Sequence, residues 1–488
     1  MTTVRKDIIT GITYTAISKY LGTVISLIVT GILARLISPP EFGIIAIATV
    51  IIAFFSMFSD LGIAPAIVQY KDLDKEALAD IFSFTTWTGL VISVGFFFLS
   101  WLIADYYNSA ILVTICQILS VNLFFAALNI VPYALLLRNK EFKYIAYMNL
   151  SVQFIGGTIS VIAALYGAGL YALLINPLFS SIVLFILGFR KYPQKIKLTM
   201  GLASMRRIYS YSLYQFLFDL INYFSRNLDK LFIGKYLGLS ALGYYEKSYR
   251  LMMLPLQNIT HVITPVMHPV FSEFQNDLKH LSWSYLKIVR LLAFLGFPLS
   301  VFLWFAANEL ILVVFGPQWE RSVPVFQILA LSVGIQIILS TSGSIFQAAN
   351  DTRSLFISGL LSAVTNIGGM IIGIFVFKSL EAVAWCILIS FFVNFIQCFI
   401  LMYKVTFRIN MRSFWTQLIP PLILSVILFV LFWITIPFWK NMNLVFSLFI
   451  KGTLWILVSG LYVQLTKEYD LWNEIKPFVF KIKSFKKK

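Results

Sequence analysis

Long apolar runs separated by short polar segments dominate the chain from residue 12 to residue 465. A helix needs about 20 mostly apolar residues to cross about 30 Å of hydrocarbon. By that measure the pattern predicts spans near 12–34, 42–66, 81–104, 111–137, 146–167, 169–188, 208–233, 239–265, 289–314, 322–348, 355–377, 380–403, 417–436 and 443–465, fourteen in all. Strands of a barrel would alternate apolar and polar positions over about ten residues. These runs are continuous and longer, so the expected fold is an all-α polytopic membrane protein. The longest polar stretches, near 190–207 and 268–288, hold about twenty residues each, too few for a nucleotide-binding or catalytic domain. No GxxxxGK[ST] run supports an ATP-driven pump.

Composition agrees with lipid as the solvent. Residues are 59% hydrophobic and 12% charged, with a mean hydropathy of +0.86, whereas a soluble surface needs about 25% charged residues. The three cysteines, Cys116, Cys386 and Cys398, lie in apolar stretches and form no metal-like cluster with the three histidines, so neither a disulfide framework nor a metal site is expected. The N-terminus lacks a small-residue cleavage site and reads as a retained first span.

The net charge of +17 would suggest nucleic acid in a soluble protein. Here it raises the question of sidedness. Arg5, Lys6, Lys71, Lys75, Arg138, Lys140, Lys143, Arg190, Lys191, Lys195, Lys197, Arg206, Arg207, Lys279, Lys287, Arg290, Arg353, Lys404, Arg408 and Arg412 fall on one side of the alternation, with the Lys-rich tail. Arg35, Lys235, Arg321, Lys378 and Lys440 are nearly all that falls on the other. The basic side is cytoplasmic, which puts both termini in the cytoplasm and the protein in a bacterial cytoplasmic membrane. The tail from Lys481 to Lys488 is expected to adhere to anionic lipid.

A faint repeat runs at an offset of 200 residues. Arg35 matches Lys235, Gly43 matches Gly243, Tyr14 matches Tyr214 and Pro65 matches Pro265. Six spans separate the units, an even number that preserves orientation, so the repeat would be parallel with its axis along the membrane normal. The expected organisation is a six-helix lobe over 1–190, a basic cytoplasmic linker over 191–207, and a second six-helix lobe over 208–404. Two further helices and a tail then fill 405–488.

Ionisable residues inside a membrane are costly and normally face a protein interior. Lys19 lies in the first span; Asp219, Arg226, Asp229 and Lys230 lie in the seventh; Glu246, Lys247 and Arg250 lie in the eighth; Asp60 is late in the second. Local acids do not cancel Lys19, Arg226, Lys230, Lys247 and Arg250, so these are candidates for a cationic cleft that suits an anionic substrate. Arginine offers a rigid fork of donors for phosphate oxygens and lysine a mobile point charge. Asp219, Asp229, Glu246 and Asp60 are candidates for charge pairs or for coupling to a proton or sodium ion.

Two stretches carry a family resemblance. One is Ala34–Gly43 followed by Phe58-Ser59-Asp60-Leu61-Gly62. The other runs from Ser225-Arg226-Asn227-Leu228-Asp229-Lys230 through Gly234-Lys235-Tyr236-Leu237-Gly238 to Ala241-Leu242-Gly243-Tyr244-Tyr245. With these the chain resembles the bacterial polysaccharide exporters of the multidrug/oligosaccharidyl-lipid/polysaccharide superfamily, in the colanic acid and teichuronic acid branch. The resemblance implies a V-shaped, two-lobe bundle that alternates between inward- and outward-facing states. It implies a flippase for oligosaccharide repeat units on undecaprenyl pyrophosphate, with Arg226, Lys230 and Arg250 as the positions to hold the pyrophosphate. It also implies partner polymerases and glycosyltransferases, no cofactor, and no bond-making chemistry. A multidrug or peptidoglycan-precursor exporter of the same architecture, or a membrane enzyme acting on lipid-linked sugars, are the alternatives. Cationic-dye transport would mark the first.

Overall fold

The computed structural model describes residues 2–70, 72–198, 216, 220, 223–224, 227–275, 277–439 and 442–466, without the side chains of 2–13, 261–266 and 268–270. Within these residues the chain is helical from end to end. The helices are α1 (Thr2–Leu36), α2 (Pro39–Asp60), α3 (Ile63–Gln69), α4 (Lys75–Tyr107), α5 (Ile111–Arg138), α6 (Phe142–Leu165) and α7 (Ala172–Lys191). Residues 227–236 form the described part of α8. There follow α9 (Leu239–Ser272), α10 (Leu278–Phe305), α11 (Ala307–Phe315), α12 (Ser322–Ala330), α13 (Val333–Leu339), α14 (Ser342–Ala348), α15 (Thr352–Ile371), α16 (Leu380–Ile400), α17 (Arg412–Trp439) and α18 (Leu444–Leu465).

Eleven of the described helices are long and apolar enough to cross a membrane, or twelve if Ser322–Ala330 and Val333–Ala348, bent by 45°, make one broken span. The protein is therefore a multi-pass membrane protein. The count differs from the expected fourteen at two places. Span seven falls largely outside the described residues. Span eight is present as the 34-residue α9, but Glu246, Lys247, Arg250, Gln257 and Asn258 make it too polar to qualify. Inside the expected tenth span, residues 331 and 332 interrupt the helix, a break that hydropathy alone cannot register.

The helices divide into two compact units. Unit 1 comprises residues 1–246 and 314–318; unit 2 comprises 247–313 and 319–488. In unit 1, α4 packs on α5, α1 on α6, and α7 on both α5 and α6. Its core gathers Ile63, Ile67, Ile81, Phe82, Val131 and Leu135. In unit 2, α10 packs on α17 and on α13, and α15 on α16. Leu424, Leu428 and Phe432 of α17 are fully buried against Phe294 and Phe305 of α10.

Local sequence explains the joints that matter. Pro39 and Pro40 open α2 at positions where no amide donor is needed. The Ser38 amide donates to the Glu41 carboxylate at 2.9 Å, closing the reciprocal cap of a helix start. At the other end of α2, Leu61 (φ 43°) and Gly62 (φ 71°) are both left-handed and turn the chain sharply. Asp60 Oδ1 then accepts the Ala64 amide at 3.1 Å and caps α3. The Ser-Asp-Leu-Gly motif is thus a corner between two helices.

Candidate functional site

The two repeated motifs meet inside unit 1. α1 ends at Leu36 and α2 begins at Pro39; α8 ends at residue 236 and α9 begins at Leu239. The offset of 200 is therefore preserved at the ends of the elements. A Cβ on Gly43 would overlap the Leu239 carbonyl oxygen, and a Cβ on Gly243 would overlap the Pro39 carbonyl oxygen. Each contact maps onto the other when 200 is added to one residue and subtracted from its partner, the signature of a local two-fold. Glycine permits this backbone approach between helices, where Cα–H···O contacts replace side-chain packing.

One turn beyond Gly243, the start of α9 meets α8 in a cluster of charged side chains. The Tyr245 hydroxyl donates to Asp229 Oδ2 at 2.5 Å, and Tyr245 is fully buried. Asp229 Oδ1 also accepts the Lys230 amide at 2.8 Å. Lys230 Nζ lies 2.9 Å from Glu246 Oε2, with side chains 17% and 25% exposed, so this pair is sheltered but not sealed. Asp229 is seven residues before the end of α8 and Glu246 seven after the start of α9, which sets both about 10 Å from the turn at Leu237–Gly238. Two carboxylates, one ammonium and a phenol thus share a small volume.

The structure brings Asp229, Lys230 and Glu246 together. Asp219 and Arg226 lie outside the described residues, as do the side chains of His261 and His268. Lys19 is half-buried on α1, where its carbonyl accepts the Thr23 hydroxyl at 2.8 Å. Asp60 caps α3. Lys247 is 2% exposed and packs within unit 2, its ammonium 5.4 Å from the Trp319 ring centroid. Arg250 is exposed. Among the described residues no group of His, Cys, Asp or Glu has the arrangement of a metal site.

Sequence reasoning missed Tyr245 as the donor that holds Asp229. It also missed Glu309 and Lys451, a buried ion pair 142 residues apart. Lys451 carried a signal, since it is the lone charged residue of the last predicted span.

The family described as polysaccharide biosynthesis protein matches residues 32–324, more than half of the chain. The lipopolysaccharide biosynthesis protein WzxC of Escherichia coli (strain K12) is 28% identical over 352 residues, covering 70% of this chain and 70% of that protein. The succinoglycan biosynthesis transport protein ExoT of Rhizobium meliloti (strain 1021) is 26% identical over 364 residues, covering 74% of this chain and 73% of that protein. Among solved structures, the lipid II flippase MurJ in an inward closed conformation superposes with a TM-score of 0.76 at 16% identity, covering 94% of this chain and 99% of that one. At that identity the likeness speaks for the fold.

Proposed function

Because the chain belongs to the polysaccharide biosynthesis protein family, we propose that it is a flippase, not an enzyme. Its substrate is an oligosaccharide repeat unit linked to undecaprenyl pyrophosphate, moved from the cytoplasmic to the outer leaflet for an exopolysaccharide, capsule, O-antigen or teichuronic acid. One observation carries this reading: the chain is alike, over about 70% of their lengths, to proteins whose names assign them to two different polymers, a lipopolysaccharide and succinoglycan. The second of these is named a transport protein, and movement of a lipid carrier with its sugar head is a task that two such polymers can have in common.

The physical task is to move a charged, sugar-bearing head through hydrocarbon, where unpaired polar groups cost several kcal/mol each. A polar cleft replaces water around the head while the lipid tail stays in the membrane. In this reading the bundle has fourteen spans and two six-helix lobes, 1–190 and 208–404, in parallel repeat with its axis along the membrane normal. It is joined by the basic linker 191–207 and extended by the helices of 405–488. Both termini are cytoplasmic, in the bacterial cytoplasmic membrane. Arg226, Lys230 and Arg250 meet the pyrophosphate, with Lys19 and Lys247 adding to the field. Asp229 and Glu246, with Asp219, respond to a proton or sodium ion that drives the cycle. A polymerase and glycosyltransferases work beside it, and anionic lipid holds the tail.

The test is reconstitution in liposomes with lipid-linked oligosaccharides of defined sugars, read by accessibility of the head at each leaflet, with and without proton and sodium gradients. Movement of the lipid-linked oligosaccharide supports the reading. Transport of lipid II or of cationic dyes in its place overturns it.

A further inference from the structure

Lys451 lies seven residues into α18, about 10 Å along a membrane helix, where a lone ammonium is costly unless it finds acceptors. It finds two. Its Nζ donates to Oε1 of Glu309 and to the Phe305 carbonyl at 2.9 Å. The Trp439 ring at the end of α17 adds a π face, its centroid 5.6 Å away. Ser447, one turn earlier on α18, donates to the same Glu309 Oε1 at 2.6 Å. Lys451 is 5% and Glu309 4% exposed.

The place of this pair is as informative as its burial. α10 ends at Phe305, Ala306 leaves helical geometry (φ −94°, ψ 6°), and α11 starts at Ala307. A helix end frees carbonyls that need partners. The Lys451 ammonium fills that need at Phe305, where a cation is favoured, and Glu309 sits in the first turn of α11, where an anion is favoured. The pair therefore straddles a joint between two helices and fastens both sides of it to α18. Beyond the joint, α11 runs to Phe315, and residues 314–318 pass from unit 2 into unit 1. There the Gln318 amide donates to the carbonyls of Ala34 and, at 3.0 Å, Ile37, and the Val314 carbonyl lies against Gly31.

We propose that Glu309 and Lys451 are positioning residues for transport: by clasping the α10–α11 joint to the C-terminal hairpin α17–α18, they fix the direction in which α11 leaves α10. The hairpin is then a working brace and not only added lipid-facing surface. The pair touches no substrate. The proposal rests on the flippase reading for its transport readout, and on an independent distance for its structural one.

A buried ion pair kept only for packing is replaceable by neutral residues of similar shape without loss. The test uses the full-length protein in liposomes and three variants: Lys451→Met, Glu309→Gln, and the two together. Nitroxide labels at exposed Asn308 and Thr453 report the distance between α11 and α18. Lys451→Met alone strands a carboxylate and is expected to lower the melting temperature; the double variant is expected to regain it. The double variant should still flip lipid-linked oligosaccharide roughly tenfold more slowly, the scale of coupling through packed networks, and its label distances should broaden. Wild-type flipping rate in the double variant, or unchanged label distances, overturns the proposal. If the wild-type protein does not flip the lipid-linked oligosaccharide, the flippase reading fails, and the distance measurement still decides the clasp.

Discussion

Gly43 lies so close to Leu239 that no side chain could be added to it without striking the Leu239 carbonyl oxygen. Gly243 stands in the same relation to Pro39. Two helix starts, each preceded by a basic residue at a helix end (Arg35 and Lys235), cross at their glycines. Gly43→Ala or Gly243→Ala is therefore expected to force the starts of α2 and α9 apart. Overpacking of this kind costs about 1–3 kcal/mol. Because the two contacts mirror one another, the two single variants should lose similar amounts of thermal stability in detergent. A large loss at one glycine with none at the other would contradict the local two-fold.

Much of this joint is legible in the sequence, and the reasons are local. Pro39-Pro40 can only open a helix, Gly43 and Gly243 recur at one offset, and the apolar runs give the helices their lengths. The Asp60 corner is legible as a motif but not as a cap, because an aspartate in a membrane protein reads first as a buried charge. Lys247 was legible as charged and not as fully buried, since burial depends on Trp319, seventy-two residues away. The Glu309–Lys451 pair was missed for the same reason. Periodicity places each residue on its own helix, and nothing in one helix names its partner on another.

Lys230 and Glu246 form an ion pair that is sheltered but not sealed. Lys230→Met leaves Glu246 with a charge and no counter-ion, at a cost of about 1–3 kcal/mol. Adding Glu246→Gln should restore stability while leaving flipping impaired, because the ammonium is still absent. Tyr245→Phe removes the 2.5 Å hydrogen bond to Asp229 and keeps the ring. It is expected to move the pH dependence of flipping with little change in melting temperature. An unaltered pH profile would remove Asp229 from the coupling scheme.

Asp351 tests the fold outside the membrane. It caps α15 by accepting the Ser354 amide at 2.9 Å and accepts the Thr406 hydroxyl at 2.6 Å. Desolvation opposes its ionisation, but the Thr406 and Ser354 hydrogen bonds outweigh it and hold the carboxyl below its ordinary value. A lowered carboxylate contributes stability that is complete above its unfolded value near about 3.9 and fades as pH falls through the folded one. Asp351→Ala should therefore cost about 0.5–2 kcal/mol at neutral pH. The gap in melting temperature between wild type and variant should close under acid. A gap that is constant down to strong acid would show that the cap acts by shape alone.

The linker after α7 is strapped to α4. The Lys197 amide donates to Ser83 Oγ at 2.8 Å, Trp87 Nε1 donates to the Lys197 carbonyl at 3.1 Å, and Lys197 Nζ reaches Asp80 at 2.6 Å. The hydrogen bond to Asp80, opposed by some desolvation and helped by the charges of Asp80 and Glu76, raises the lysine above its ordinary value. A raised lysine keeps its contribution below its unfolded value and loses it only as pH rises through the folded one, so the strap should hold unchanged across neutral pH. Its charge is partly exposed and will be screened by salt. Lys197→Met should speed protease cleavage near residues 193–198, and high salt should narrow the difference from wild type. Equal cleavage of both proteins at low salt would mean that the two backbone hydrogen bonds suffice.

Arg250 is the candidate on which the substrate reading is most exposed to test. It is a guanidinium eleven residues into α9 that stays exposed. If it receives pyrophosphate, the fork geometry of arginine matters and not only its charge. Arg250→Lys should then slow flipping, Arg250→Ala should slow it further by about tenfold or more, a lost charge-assisted contact being worth about 1.5–3 kcal/mol, and neither should change the melting temperature much. The loss should also vanish with a lipid-linked sugar that carries no phosphate. A guanidinium that serves only to orient α9 in the membrane would give a different pattern: Lys would replace it fully, and flipping would follow charge at position 250 whatever the head group carried.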